Sequence, residues 1–335
     1  HDALPIYRFT IYAGAEQTGE LVVTKSYNDD GKASIGGAGA DTVENGESCG
    51  TITFNGGKVT IRRGCGGTTI GTGTYGNGGR IVINAGTLFC LSEPNPLNGA
   101  NIGSGTDGSG VEIQMNGGDV TAQGDVSVAD SGYTLFGRLT DQVTMNGGLL
   151  TTRFWSQTGT KKVDLISPSF TYNSGVVKNG YNQTITVRNM KEDVTVPENY
   201  VMTVAADETL TVPQGVQLVN NGIIRSYGTL INHGTITNNG TFQINEKITG
   251  TGTYTGTEAL VAKNVMIIPE SEHVSVSSGK LVQRVMPGDA MEEVVLTVEK
   301  GYEFAKGDVT QEYSGIKVTK KDLRTLVISG ELATD

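Results

Sequence analysis

The sequence contains few prolines, few aromatic residues and no long apolar run. Proline accounts for 8 of its 335 residues and aromatic residues for 6%. With so little proline and no strict three-residue glycine period, a collagen-like chain is excluded. No apolar run approaches the roughly 18 residues of a membrane-spanning helix, so we expect no membrane insertion within this chain.

Cysteine is scarce, and the three cysteines match no zinc-binding spacing. Cys90 takes the place in its repeat that Ile61 holds in the preceding copy, so it is predicted to be a buried free thiol. Cys49 and Cys65 flank one strand–turn–strand unit, and a disulfide between them is an open alternative.

Positively charged residues are fewer than negatively charged ones: the chain has 25 Lys and Arg and 35 Asp and Glu, which gives a net charge of −10. This balance disfavours nucleic acid and anionic membranes as partners. Hydrophobic residues make up 36% of the chain, which suits a thin repeat protein with a narrow core. Because the chain begins at His1, without an initiator Met or a signal peptide, we expect it to derive from a longer precursor.

Glycine is abundant, with 48 residues, and many of them belong to a repeat between Ile35 and Thr152. Each of four copies opens with an apolar residue followed by glycine, and then reaches a turn centred on Asn and Gly. Self-similarity at a period of roughly 20–50 residues indicates stacked repeats. The openings are Ile35-Gly36, Ile70-Gly71, Ile102-Gly103 and Phe136-Gly137, and the turns are Asn55-Gly56-Gly57, Asn84-Ala85-Gly86, Asn116-Gly117-Gly118 and Asn146-Gly147-Gly148.

Apolar residues alternate on both sides of each turn, which predicts strands with one buried face. Ile52, Ile81, Ile113 and Val143 hold the same place in the four copies, so stacking the copies would build an inward ladder. We therefore predict an all-β fold whose main part is a parallel β-helix, in which the Asn-Gly turns are bends rather than hairpins. A β-propeller fits less well, because each copy has too few strands for a blade.

Two further patterns follow the long repeats. One apolar residue recurs every six positions, which suits a triangular coil with one short strand on each side. Glycine then becomes rarer and charge denser, and short strands separated by turns predict a small antiparallel, Ig-like β-sandwich. The predicted segments are an N-terminal cap or first coil (1–34), the β-helix (35–256, with long repeats at 35–152, an insertion at 153–182 and hexad-like repeats at 183–256) and the β-sandwich (257–335).

The repeats resemble the Gly-rich parallel β-helix regions of large surface proteins of gut Firmicutes. The resemblance rests on the Ile-Gly-x-Gly and Asn-Gly-Gly repeats and on the Asn-Gly-Thr hexads of residues 220–243. The tail that contains Gly301-Tyr302-Glu303-Phe304 and Gly315-Ile316-Lys317-Val318 is similar to their small β-sandwich modules. The resemblance implies a secreted or bacterial cell-surface, adhesin-like, multi-module protein that contacts a glycan or a host or bacterial surface component. It implies no catalytic residues.

Three aromatic residues in the predicted insertion are the candidate ligand-binding residues. They are Trp155, Tyr172 and Tyr181. Flat, rigid aromatic rings stack on sugar rings and lose little entropy on contact. The alternative is that these side chains cap the hydrophobic core where the repeat pattern breaks.

Calcium is the one metal that the sequence suggests. Residues 36–44 fit the nonapeptide of calcium-binding repeats, with Asp41 and Glu44 as the candidate metal ligands. Such sites are completed by tandem copies, and the following copies lack an Asp at this position. The alternative is a simple corner of the repeat, and no other cofactor is expected.

The sequence favours a non-catalytic function and leaves an enzyme open. Glycoside hydrolysis requires two carboxyl groups about 5–9.5 Å apart. None of the candidate residues has a paired partner two residues away at the same position of its repeat. A polysaccharide-degrading lyase or hydrolase and a structural spacer without a ligand are therefore the alternatives to a carbohydrate-binding adhesin. The candidate residues are Asp107, Asp119, Asp125, Asp130 and Asp141, with Arg138.

Overall fold

The fold is all-β throughout the described part of the chain. A computed structural model describes residues 8–12, 19–24, 31–39, 46–63, 68–92, 100–126, 135–138, 140–157, 166–305 and 315–334. Within these ranges every regular element is a β-strand. The chain divides into two compact units, His1–Lys191 and Glu192–Asp335. The predicted finer division, with a boundary between residues 256 and 257, stays a prediction.

Fourteen strands belong to the first unit. Short two-residue strands alternate with longer ones, because each repeat opens with an isolated apolar-Gly pair and then alternates polar and apolar residues. The strands are β1 Arg8–Ile11, β2 Glu20–Thr24, β3 Ile35–Gly36, β4 Thr51–Arg63, β5 Ile70–Gly71, β6 Arg80–Ser92, β7 Ile102–Gly103, β8 Glu112–Met115, β9 Asp119–Val126, β10 Gln142–Met145, β11 Leu149–Gln157, β12 Phe170–Tyr172, β13 Gly175–Asn179 and β14 Thr184–Arg188.

Successive repeats pair in parallel, in register, along three ladders. These run through β1–β4–β6–β8–β10–β12, through β2–β4–β6–β9–β11–β13, and through β3–β5–β7. Ile52 lies opposite Ile81, Ile81 opposite Ile113, and Ile113 opposite Val143. All four are at most 1% exposed. The predicted stacking of these four residues is confirmed.

The opening pairs of the repeats stack in the same way. Ile35 pairs with Ile70 and Ile70 with Ile102, and isolated bridges extend the column to Phe136 and Ile166. These side chains belong to, or pack against, one hydrophobic cluster that also contains the Ile52 column. Each fully buried aliphatic side chain contributes about 1.5–3 kcal/mol relative to an exposed one, so the columns are the main stabilising feature of this unit.

The Asn-Gly turns are bends, as predicted. Strand β4 passes through Asn55, Gly56 and Gly57 without folding back on itself, and its two halves both pair with β6 of the next copy. Gly57 has a φ of 79°, which the absence of a Cβ atom permits. One continuous strand thereby turns from the first ladder into the second.

The segment predicted as an insertion differs from that expectation, because residues 166–179 continue the stack. Phe170 lies opposite Val143, Tyr172 lies opposite Met145, and β13 pairs in parallel with β11. The sequence disguises this fifth set of strands, since Ile166-Ser167 replaces the Ile-Gly opening and Asn173-Ser174-Gly175 replaces the Asn-Gly-Gly turn. β14 then pairs with β13 in the antiparallel direction, so the sheet is mixed.

In the second unit, the short strands between Gln217 and Ile244 follow one another at the predicted six-residue spacing, and the parallel strands before and after them are spaced more widely. Three parallel ladders run through β15–β18–β21–β23, β16–β19–β22–β24 and β17–β20. Leu218 therefore stacks on Ile236, and Ile224 on Phe242. The strands are β15 Val194–Val196, β16 Val201–Val204, β17 Thr209–Val212, β18 Gln217–Asn220, β19 Ile223–Ser226, β20 Thr229–Asn232, β21 Thr235–Asn238, β22 Thr241–Ile244, β23 Thr253–Gly256 and β24 Leu260–Val261.

The last part of the second unit is antiparallel. A four-stranded sheet in the order β26–β28–β30–β29 and a two-stranded sheet of β25 and β27 contribute to one core, which includes Val265, Val285, Val294 and Ile328. The sequence did not single out β27. The strands are β25 Lys263–Met266, β26 Val274–Ser278, β27 Val282–Val285, β28 Val294–Val298, β29 Ile316–Asp322 and β30 Thr325–Gly330.

The cysteines of the described segments are free and buried. Cys90 lies opposite Ile61 in the second ladder and is 0% exposed, as predicted, and burial raises the pKa of its thiol. Burial likewise raises the pKa of Cys49 to about 11. Cys49 is a free thiol in the described part of the chain. The alternative of a Cys49–Cys65 disulfide involves Cys65, which lies outside the described residues.

Candidate functional site

Five asparagines form a continuous hydrogen-bonded row along the first ladder of the first unit. Each lies at the bend of its repeat: Asn55 and Asn84 lie within the continuous strands β4 and β6, and the other three directly follow β8, β10 and β12. The Nδ2 amide of each later asparagine donates to the Oδ1 of the one before it, at 2.7, 2.8, 2.9 and 2.9 Å. We call this row the asparagine ladder, and its members are Asn55, Asn84, Asn116, Asn146 and Asn173.

The strands beside the asparagine ladder present polar side chains away from the core. In β8, Ile113 and Met115 are buried, whereas Glu112 is exposed and Gln114 half-buried between them. Alternation of this kind follows from the two-residue period of a strand. The outward rows of these strands contain Arg8, Thr51, Arg80, Glu112 and Gln142, and Thr10, Thr53, Val82, Gln114, Thr144 and Thr171.

Arg80 and Glu112 form an ion pair on this outward face. Arg80 Nε lies 3.5 Å from Glu112 Oε1, and its Nη2 donates to Gln114 Oε1 at 2.6 Å. Gln114 in turn donates to Asn116 Oδ1 at 3.0 Å. A chain of hydrogen bonds therefore connects the one exposed ion pair of the face to the asparagine ladder.

Tyr172 lies where the parallel stack ends in the β13–β14 hairpin. Its hydroxyl lies 2.7 Å from the carbonyl oxygen of Gly175 and 2.9 Å from that of Thr186, one on each hairpin strand. Its ring stacks on Phe170 with centroids 5.5 Å apart, and the Arg188 guanidinium lies 5.1 Å from the ring centroid. These contacts fasten the hairpin to the last strand of the ladder, which is what the core-capping alternative describes.

The other two aromatic residues predicted to bind a ligand are Tyr181 and Trp155, which belong to other elements than Tyr172. Tyr181 occupies the turn of the β13–β14 hairpin and is 54% exposed, and its backbone N–H donates to Asn179 Oδ1 at 3.0 Å. Trp155 belongs to β11, and its side chain lies outside the described part. The predicted calcium ligands Asp41 and Glu44 also lie outside the described residues. The ligand-binding role of the three aromatic residues and the calcium site stay predictions.

Asp141 is buried in a set of hydrogen bonds that joins two repeats. Its Oδ2 accepts from the backbone N–H groups of Ser104, at 2.8 Å, and Arg138, at 2.7 Å. Its Oδ1 accepts from the Val111 N–H at 3.0 Å and from the Ser104 hydroxyl. With four donors around a side chain that is 0% exposed, this carboxylate is held in place and shielded from solvent.

Arg138 and Asp107 lie close to this set of hydrogen bonds, and the Arg138 side chain contacts both backbone carbonyls and Asp107. The Arg138 Nη1 donates to the carbonyl oxygens of Gly105 and Gly108, at 2.7 and 3.2 Å. Its Nη2 lies 4.0 Å from the exposed carboxylate of Asp107. The structure thus brings together three of the residues considered for catalysis, but the buried carboxylate and the guanidinium both bind backbone groups.

Asp119, in the second ladder, has a carboxyl group with a shifted pKa. Desolvation raises the pKa of its carboxyl group, and the positive charge of Lys178 opposes that rise.

In the described segments, no group of three or more His, Cys, Asp or Glu side chains is arranged to hold a metal ion. The same segments contain no helix with the length and hydropathy needed to cross a membrane.

The sequence pointed to the asparagines as turn residues but not as a row of contacting side chains. The signal was nevertheless present, because the same amide recurs at the same outward position in each copy. In stacked, in-register strands, recurrent Asn or Gln residues form hydrogen-bonded ladders. The fifth member, Asn173, required the structure, since it lies in the segment whose repeat signature is degraded.

Comparison with known proteins identified no relative of this chain. The chain matches no protein-family model, no curated protein and no solved structure.

Proposed function

We propose that this chain is a non-catalytic module of a secreted or bacterial cell-surface protein, and that it binds carbohydrate through the outward face beside the asparagine ladder. Under this proposal the parallel ladders of both units are coils of a β-helix. The antiparallel strands after residue 262 are a small β-sandwich appended to it.

The β-helix part of the proposal is supported by the register of the parallel strands. Residues about one repeat apart in sequence lie opposite each other in three separate ladders of the first unit, and strands 18 residues apart pair in the second. A chain that returns to the same three faces at a fixed interval winds as a coil. In the first unit, the parallel pairing is followed by the antiparallel β13–β14 pair.

The asparagine ladder is the observation that carries the binding proposal. Sugars present hydroxyl groups that both donate and accept hydrogen bonds, and side-chain amides do the same from one planar group. Five amides in a fixed row on a sheet provide such groups without the entropy cost of ordering mobile side chains. The outward residues on the strands of the asparagines are mainly Thr and Gln, with Val82 and the ion pair of Arg80 and Glu112, so this part of the face is largely polar.

The contacts of Asp141 and Asp107, two of the five candidate carboxylates, favour binding over catalysis. A glycosidase needs one protonated and one ionised carboxyl group with free access to the sugar. Asp141 is buried and accepts four hydrogen bonds, and Asp107 is engaged by Arg138 at an exposed turn. These contacts support a structural role for the pair.

A glycan array tests the proposal. Wild-type protein is expected to bind a set of glycans, and Asn116→Ala is expected to weaken that binding because it removes the central amide of the ladder. The matched control is Asn239→Ala, since Asn239 also donates to an exposed asparagine, Asn221, at 2.9 Å but lies in the second unit. Absence of wild-type binding to any glycan would refute the proposal in favour of a structural spacer.

The same array tests the aromatic residues and separates binding from turnover. Trp155→Ala and Tyr181→Ala are expected to reduce binding if these side chains extend the face, and to leave it unchanged if they do not. Incubation with pectins, mucin glycans and plant polysaccharides, read by reducing ends or unsaturated products, is expected to show no turnover. Measurable turnover would replace the binding proposal with the enzyme alternative.

A further inference from the structure

The hydrogen bonds of the asparagine ladder all run in one direction. Asn84, Asn116, Asn146 and Asn173 each use one amide hydrogen to reach the preceding asparagine. A primary amide has two hydrogens, and its oxygen has two lone pairs. Each of these residues therefore keeps a second amide hydrogen that has no partner within the described part of the chain.

The unused groups recur at a fixed interval. Neighbouring strands of a sheet lie about 4.8 Å apart, so four steps between five asparagines span about 19 Å. At Asn84 and Asn146 the oxygen accepts only the ladder bond, which leaves a free lone pair beside the free hydrogen. At Asn116 the Gln114 amide takes the second lone pair. Within the described part of the chain, every step of the row thus offers a free donor, and every step except Asn116 also offers a free lone pair.

We propose that the ligand is an extended, uncharged polysaccharide that lies across the strands along the asparagine ladder, with one subsite for each strand. This inference rests on the proposed function and names its ligand class. A linear glycan repeats its hydroxyl groups along its length, as the ladder repeats its amides. A single terminal sugar would use only one or two steps of the row.

The charge of the face selects among polysaccharides. On β4, β6, β8, β10 and β12, the five strands that hold or precede the asparagines, the ionised side chains of the first-ladder outward rows are Arg80 and Glu112, which lie 3.5 Å apart and neutralise each other. Arg8 lies one strand beyond them, opposite Thr51. A polyanion such as polygalacturonate would find no unpaired cation in the outward rows of these five strands, and desolvating its carboxylates there would cost free energy. An uncharged chain meets no such penalty.

Binding of neutral oligosaccharides of increasing length tests this inference. Titration calorimetry with linear β-linked gluco-, xylo- and manno-oligosaccharides, from disaccharide to octasaccharide, is expected to show affinity rising about threefold or more for each added sugar. The rise should stop once the chain spans the ladder, at about 19 Å. Asn116→Ala should weaken the longest ligands about tenfold and flatten the length dependence.

Two controls separate loss of binding from loss of folding. Asn239→Ala should leave the length series unchanged, and the thermal melt and circular dichroism of Asn116→Ala should show a folded protein. Asn146→Ala, at the next step of the ladder, should shorten the effective length of the series in the same way. A folded Asn116→Ala variant with wild-type affinity for long chains would overturn the inference.

The remaining outcomes distinguish this inference from the proposed function. Binding that does not depend on chain length, or that requires a charged polysaccharide, would refute the neutral ladder site while carbohydrate binding stands. Binding of an extended peptide and of no glycan would refute both.

Discussion

At the scale of the residue, Asp141 shows how one side chain fastens two copies of a repeat. Its carboxylate accepts from Ser104 and Val111 in the third copy and from Arg138 in the fourth. Each of these hydrogen bonds is charge-assisted, and the carboxylate has no access to water. Removing the acceptor would leave buried donors unsatisfied, at about 1–3 kcal/mol for each donor.

Replacing Asp141 is therefore expected to destabilise the first unit strongly. Asp141→Asn retains the shape but turns an amide NH₂ toward donors, so we expect a loss of about 3 kcal/mol or more in the free energy of unfolding. Urea denaturation, followed by the fluorescence of the single Trp, measures this change. Asp107→Asn is the control, because its carboxylate is exposed and 4.0 Å from Arg138, and it should cost less than about 1 kcal/mol. Equal effects of the two substitutions would contradict the structural role of Asp141.

At the scale of the element, the two-residue strands that open each repeat depend on glycine. Gly36, Gly71 and Gly103 have φ values of 138°, 139° and 136°. A Cβ atom at Gly71 would overlap the carbonyl oxygen of Gly103 in the next copy. At Gly103 the corresponding space is taken by the Asp141 carboxylate. Close approach of neighbouring backbones, rather than turn formation alone, explains why glycine recurs in this ladder.

Gly71→Ala is expected to destabilise the first unit by about 3 kcal/mol or more, because it adds both backbone strain and a steric clash. Gly78→Ala is the matched control. Gly78 also has a positive φ, 73°, but nothing lies within 4 Å of an added Cβ atom. The control should cost only about 1 kcal/mol, which is the price of the backbone conformation. Thermal and urea unfolding of the two variants would reveal the difference, and similar losses would show that packing at Gly71 does not matter.

At the scale of the whole molecule, the second compact unit combines parallel ladders with antiparallel sheets. In the second unit, a turn at residues 287–289 docks onto the parallel strands. Asp289 accepts from Tyr227 at 2.9 Å and lies 3.4 Å from Arg225, and the Gln243 amide donates to the Pro287 carbonyl. Burial and the hydrogen bond to Asp289 raise the pKa of Tyr227. The antiparallel strands are thus attached to the parallel ladders by specific polar contacts.

Removal of the Asp289 carboxylate should loosen that attachment. We expect Asp289→Ala to lower the opening free energy of strands β25–β30 by about 1–3 kcal/mol, since the hydrogen bond and ion pair are partly buried. Hydrogen exchange read by mass spectrometry would show faster exchange in these strands, with β18–β22 less affected. Asp207→Ala, at an exposed acidic position in the same unit, serves as the control. Unchanged exchange in the Asp289 variant would show that the contacts do not stabilise the antiparallel part.

The sequence by itself determined which side chains face inward. Alternation assigned Ile52, Ile81, Ile113 and Val143 to one column, and the same reasoning placed Cys90 beneath Ile61. Such assignments succeed because a strand has a period of two and every copy repeats it. The all-β class followed from the same local pattern.

Only the tertiary structure decided which polar groups meet. The asparagine ladder, the donors to Asp141 from Ser104 and Val111, and the docking of Asp289 join residues that are 27 or more positions apart. Hydrogen bonds of this kind depend on atomic register between copies, which local periodicity does not specify. The strands of residues 166–179 were hidden for a related reason, because a stacked copy needs matching backbone geometry and a buried column but not the glycines that mark the other repeats.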